Sequence, residues 1–127
     1  MKPVYQTNFS IPGGNCFQAS VASIFEMPLA EVPDFCSLYD DLAWWDAFCL
    51  FCLRFGLYPI NIGPDAGIRF EELGFYLALG KTKYGHDHAV VYANGQLVHD
   101  PIPGGQGLVE IESYILFVST MFNGVKK

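Results

Sequence analysis

Few side chains in this sequence can act as nucleophile or base near neutral pH: four cysteines (16, 36, 49 and 52) and three histidines (86, 88 and 99). Cys16 follows the breaker run Ser10-Ile11-Pro12-Gly13-Gly14 and the good N-cap type Asn15, which places it in the first turn of a predicted helix. A thiol attacks only as thiolate, and both a helix N-terminus and a nearby imidazolium favour that anion. Gly13 and Gly14 leave room for close approach of a substrate, and the Cys16 backbone N–H is a candidate oxyanion donor.

The base must come from a histidine. His88 opens the apolar run His88-Ala89-Val90-Val91-Tyr92, and His99-Asp100-Pro101 closes the next one. Tyr92-Ala93-Asn94-Gly95-Gln96 between them is a hairpin signal. A two-residue Asn94–Gly95 turn would pair Ala93 with Gln96, set His88 against Pro101 and turn Asp100 to the other face. A three-residue turn with Gly95 in a bulge pairs Tyr92 with Gln96, Val90 with Val98 and His88 with Asp100. Directly opposed residues share a face, so this bulged register lets the Asp100 carboxylate accept from the His88 ring. It sends His99 to the opposite face with Ala89, Val91 and Leu97. His86, in the polar loop Lys81–Asp87, reads as solvated. Cys16 as nucleophile, His88 as base and Asp100 orienting the base form the expected triad.

The elements that must hold these residues follow from periodicity. Pro3–Gln6 reads as extended. A helix is predicted from Asn15 to about Met27, with Phe17, Val21, Ile24 and Phe25 as its buried stripe. Leu29–Val32 reads as a short helical turn. A second helix is predicted from Ser37 to about Phe55, with Leu38, Leu42, Trp45, Cys49 and Cys52 as its stripe and Gly56 as its stop. Strands are predicted at Leu57–Ile62, Phe75–Leu79, Ala89–Tyr92, Leu97–Asp100 and Tyr114–Ser119, with Phe70–Leu79 also suiting a helix. Helices first and strands afterwards predict an α+β fold, N-terminal helices on a small antiparallel sheet, in one domain over residues 1–127.

Composition narrows the function classes. Apolar residues make up 51% and charged residues 16% of the 127, which excludes a disordered chain. The net charge of −6 argues against nucleic-acid and anionic-membrane partners. The start MKPVYQTNFS lacks a signal peptide's apolar run, and no stretch approaches a membrane span, so a cytoplasmic protein is expected. Cys49 and Cys52 have the spacing of a metal pair but lie in an apolar run with no second pair, so they read as buried structural cysteines. No cofactor is expected. A metal at Cys16, His88, His99 and Asp100 ranks last, because the bulged register separates the two histidines.

Gly14-Asn15-Cys16-Phe17-Gln18-Ala19, His88-Ala89-Val90-Val91 and Val98-His99-Asp100-Pro101 together resemble the papain-like cysteine peptidase superfamily. The nearest branch is the bacteriocin-processing, double-glycine-leader peptidases. Met27–Pro33 and Gly104–Leu108 are also similar to small phage and bacterial proteins. The resemblance implies a papain-like fold, the triad Cys16, His88 and Asp100, and a peptide or protein substrate. It also implies an oxyanion-donating glutamine about six residues before the cysteine, where this chain has Ser10. Gln6, ten residues before, can take that place only if Ser10–Gly14 loops out. Gln6 and Asn15 are the candidate oxyanion or substrate-binding residues. The expected function is a cysteine hydrolase (peptidase, isopeptidase or amidase) working through a thioester. A transglutaminase-like acyltransferase and a non-catalytic binding factor on the same fold are the alternatives.

Overall fold

The computed structural model describes residues 1–40 and 42–120. Among these the helices are α1 (Cys16–Phe25), α2 (Phe35–Leu38) and α3 (Ala43–Leu53), followed by strands β1 (Leu57–Ile62), β2 (Phe75–Lys81), β3 (Asp87–Ala93), β4 (Gln96–His99) and β5 (Glu110–Ser119). The strands form one antiparallel sheet in the order β1-β5-β2-β3-β4, and the helices pack on one face of it. The fold is α+β.

Helix α1 starts where the breaker run ends. It stops at Phe25 because Glu26 turns left-handed (φ 56°) and its N–H returns to the carbonyls of Ala22 and Ser23. Its face of Phe17, Val21 and Ala22 is buried against Leu77, Ala89 and Ile115 of the sheet and against Phe35, Phe48 and Phe51. Edge-to-face ring contacts lock this layer, with Phe17 at 5.0 Å from Phe48 and 5.4 Å from Trp44. The opposite face of the sheet carries a second cluster of Tyr76, Ala78, Val90, Tyr114 and Leu116, covered by Ile68, Phe70, Leu73 and Leu108.

The second helix differs from its predicted span of Ser37 to Phe55. Position 41 lies outside the described residues; on either side the span divides into α2 and α3, with Tyr39 extended (φ −131°, ψ 148°). The division lets Phe35 fold back onto Phe48 and Phe51, with ring centroids 5.3 and 5.5 Å apart. The stripe shifts accordingly. Leu38 and Leu42 are exposed, and the buried side chains of α3 are Phe48, Phe51 and Cys52. Ring burial outweighs the leucine spacing that predicted the stripe.

The β3–β4 hairpin also corrects the expected register. Its turn is the two-residue one: Ala93 pairs with Gln96, and Asn94 (φ 54°) and Gly95 (φ 75°) are both left-handed. Tyr92 then pairs with Leu97, but Val91 pairs with His99, so Val98 is an extra residue in the ladder. The bulge sits in β4 rather than in the turn. It still restores the alternation, because Asp100 falls in phase with Val90 and His88 while His99 falls in phase with Val91 and Ala89.

Candidate active site

Cys16 is the first residue of α1, a position whose backbone N–H has no intrahelical acceptor. One turn further on, the Ser20 hydroxyl donates to the Ala89 carbonyl at 3.2 Å, fixing α1 against β3 next to His88. Residues four apart stack on one helix face, so this bond brings Cys16 beside His88.

His88 is buried with 4% of its side chain exposed, and Asp100 with 6%. The His88 Nε2 lies 2.7 Å from Asp100 Oδ1. Since Asp100 occupies Nε2, Nδ1 is the ring nitrogen left for Cys16, whose thiol is near enough to His88 to raise its pKa. Burial disfavours the imidazolium, but the bonds to Asp100 and Cys16 and their charges outweigh it and raise the His88 pKa to about 9. Burial likewise opposes the Asp100 carboxylate, and its bonds to His88, Ile102 and Gly107 overcome that and lower its pKa. Asp100 Oδ1 accepts the Ile102 N–H at 2.9 Å, and Oδ2 accepts the Gly107 N–H at 2.9 Å. The carboxylate therefore has a fixed orientation before any substrate binds.

The other three thiols are in different surroundings. Desolvation of the thiol, then charge at Cys16 and Asp34, pushes Cys36 up to about 11, although the residue as a whole is exposed. Burial, with charge at Cys49, pushes Cys52 up to about 12, and burial also raises Cys49. Cys16 is the one thiol of the four that meets a histidine.

The triad opens into a cavity of about 780 Å³, lined among others by Gln6, Cys16, Cys36, Trp44, His88 and Asp100. Gln6 is buried, and the segment after it loops out: Gly14 packs so close that a Cβ there would lie 3.0 Å from the Asn8 carbonyl and 3.4 Å from Gln6 Nε2. That looping brings Gln6 to the wall of the cavity that Cys16 also lines, despite the ten-residue spacing. Gln6 Nε2 donates one hydrogen to the Asn8 carbonyl at 3.0 Å, and its backbone N–H donates to the Pro101 carbonyl at 3.0 Å. Gln6 Oε1 is buried with no protein partner among the described residues.

Asn15 departs from its expected role. Its side chain neither caps α1 nor lines the cavity. Asn15 Oδ1 accepts the N–H groups of Thr7 (3.0 Å) and Asn8 (2.9 Å), and Nδ2 donates to Thr7 Oγ1 and Gln18 Oε1. It clamps the segment after Gln6, so it positions rather than touches. The short polar side chain that suggested a cap finds better-placed donors in that looped segment. His99 is buried, with Nε2 2.8 Å from the Val4 carbonyl and its ring edge-on to Tyr5 at 5.0 Å. His86 is at the cavity wall, half-buried. Among the described residues no group of three or more His, Cys, Asp or Glu is placed to hold a metal ion, and no helix is long and apolar enough to cross a membrane.

Sequence reasoning missed two glycines that shape the site. A Cβ on Gly105 would lie 2.8 Å from Asp100 Oδ1 and closer still to Oδ2, so only glycine fits beside that carboxylate. A Cβ on Gly80, which pairs with His88, would collide with the Glu110 backbone where β5 carries its own extra residue, Glu112. The Gly104-Gly105-Gln106-Gly107 cluster after Asp100-Pro101 was the available signal. Comparisons of the chain with protein-family models, with curated proteins and with solved structures each found no match.

Proposed function

We propose that this chain is a papain-like cysteine hydrolase that cleaves an amide bond of a peptide or protein through a Cys16 thioester. The observation that carries the reading is the buried 2.7 Å bond between His88 and Asp100, with Cys16 near enough to the same ring to raise its pKa. A carboxylate with both oxygens held by backbone N–H groups fixes the imidazole so that one nitrogen is left for the thiol.

In this mechanism the Cys16 sulfur attacks the carbonyl carbon, and the carbonyl oxygen becomes an oxyanion facing the Cys16 N–H and Gln6 Nε2. As the carbon–nitrogen bond breaks, His88 gives its proton to the departing amine. Water then loses a proton to His88 as it attacks the thioester, releasing the acid and restoring the thiolate–imidazolium pair. The chemistry needs no cofactor. The four free cysteines suit a reducing, cytoplasmic setting, and the net charge of −6 disfavours nucleic acid as partner.

The deciding experiment is iodoacetamide labelling at pH 6, mapped by mass spectrometry, in wild type and His88→Ala. Cys16 is expected to label ahead of Cys36, Cys49 and Cys52, and to lose that lead in His88→Ala. Labelling of Cys16 no faster than the others sinks the assignment and leaves a binding protein. Against peptide substrates, Cys16→Ala is expected to abolish turnover with the fold intact, and an added amine distinguishes hydrolysis from acyl transfer by its product.

A further inference from the structure

Two thiols line the cavity: Cys16 at the triad and Cys36, in α2 and exposed to solvent. Packing brings the segments that carry them together. The residue after Cys16, Phe17, meets the residue before Cys36, Phe35, ring to ring at 6.4 Å, and both rings are buried. Gln18 Nε2 donates to the carbonyls of Leu29 (3.1 Å) and Val32 (2.8 Å), tying the first turn of α1 to the segment that leads into α2. Cys49 and Cys52 lie on α3 and do not line the cavity.

We infer that Cys16 and Cys36 are a peroxide-responsive pair, forming a reversible disulfide that switches the nucleophile off and shields it from irreversible oxidation. The inference rests on Cys16 being the reactive thiolate. In the first step that thiolate attacks hydrogen peroxide: a sulfur–oxygen bond forms, the oxygen–oxygen bond breaks, and hydroxide leaves and takes up a proton. Cys16 becomes a sulfenic acid, oxidised by two electrons. In the second step the Cys36 sulfur attacks the Cys16 sulfur, forming the sulfur–sulfur bond and breaking sulfur–oxygen. The departing hydroxide and the Cys36 proton leave as water.

Electrostatics order the two steps. Desolvation of its thiol and charge at Cys16 and Asp34 keep Cys36 a protonated thiol, a poor nucleophile towards peroxide, while Cys16 has His88 beside it. The neutral sulfenic acid no longer carries the Cys16 charge, which removes one of the causes holding Cys36 up. Helix α2 has only four residues and its exposed Cys36 is accessible to a reductant, so closing and reopening the bond involve a local shift.

The test treats the full chain with an excess of hydrogen peroxide and maps it by non-reducing mass spectrometry, with dimedone to trap sulfenic acid. In wild type a Cys16–Cys36 cross-linked peptide is expected, with loss of iodoacetamide labelling at Cys16 that dithiothreitol restores. In Cys36→Ser, dimedone is expected on Cys16, and without dimedone Cys16 passes to sulfinic acid with a loss that dithiothreitol does not restore. Sulfinic acid on wild-type Cys16 with no cross-link, or Cys36 bonded to Cys49 or Cys52 instead, overturns the pairing while leaving the nucleophile in place. A Cys16 that takes neither dimedone nor oxygen in Cys36→Ser overturns the nucleophile and the pairing together.

Discussion

At His88 three influences meet: burial, which resists the charge, and the bonds to Asp100 and Cys16, which favour it. Their balance gives a histidine charged up to about pH 9. An NMR titration should therefore find the His88 transition near that pH in wild type and at lower pH in Cys16→Ala, where the thiol's contribution is gone. An unmoved transition would mean that the thiol and ring are not coupled. The folded pKa lies above the ordinary 6.5, so the stability contributed by His88 is full below that pH and is lost as pH rises towards about 9. For Asp100 the folded pKa is lowered, so its contribution is present above the usual carboxylate range and fades as pH falls through the folded value. Urea melts across this range should show an alkaline loss that His88→Ala lacks. Beside the same carboxylate, Gly105→Ala pushes a methyl into Asp100. It should cost about 1–3 kcal/mol by overpacking and lower the His88 transition, because the carboxylate must move. A variant with native stability and an unshifted His88 would show that the loop yields instead.

The hairpin between β3 and β4 shows how an element can deliver the right residues by a different route. Asn-Gly favours a two-residue turn with both residues left-handed, and that is the turn formed. The alternation is repaired four residues after Asn94 by Val98, on an edge strand where Leu97 and Val98 are both exposed and nothing in the apolar pattern marks a bulge. Deleting Val98 leaves a regular ladder with Val91 still opposite His99, so His88 should keep its titration near pH 9 and Cys16 its labelling at pH 6. Inserting one alanine after Leu97 shifts Asp100 out of phase with His88 and should remove both. Loss of both on deleting Val98 would show that the bulge's twist, and not only its phase, aims Asp100. The same contrast explains what was legible. Four of the strands, the first helix and its Phe17–Val21 stripe followed from periodicity and from Gly and Pro breakers, while the segment of β2 also suited a helix. The break after α2 was hidden, because ring packing of Phe35 on Phe48 and Phe51 is a tertiary contact that no local spacing encodes. The placing of Cys36 on the same cavity as Cys16 was hidden for the same reason, since it depends on Phe17 meeting Phe35.

Across the whole molecule, the first eight residues act as a strap that joins α1 to the end of β4 and carries Gln6. The strap's amino group pairs with Glu26 at 2.7 Å, and the Lys2 N–H donates to the Ser23 carbonyl. On the β4 side His99 holds the Val4 carbonyl and the Pro101 carbonyl accepts the Gln6 N–H. Asn15 then clamps Thr7 and Asn8. Gln6 is thus tied directly to Pro101, one residue beyond Asp100, and through Thr7 and Asn8 to Asn15, one before Cys16, which couples the Gln6 side of the cavity to both Cys16 and Asp100. Ser23 is the pivot of this arrangement. It is fully buried, and its hydroxyl accepts the Val4 N–H at 2.9 Å while lying 2.8 Å from the Ala19 carbonyl, to which it can donate. Ser23→Ala leaves the Val4 N–H without its acceptor, at a cost of about 1–3 kcal/mol. The loss should appear in the urea midpoint, and in hydrogen exchange as faster exchange of the Val4 and Gln6 amides. Because His88 and Asp100 are held by other bonds, the His88 transition should stay near pH 9 in this variant. Unchanged exchange at Val4 and Gln6 would mean that the β4 side holds the strap alone. A shifted His88 transition would mean that strap and triad form one cooperative unit rather than two joined at Pro101.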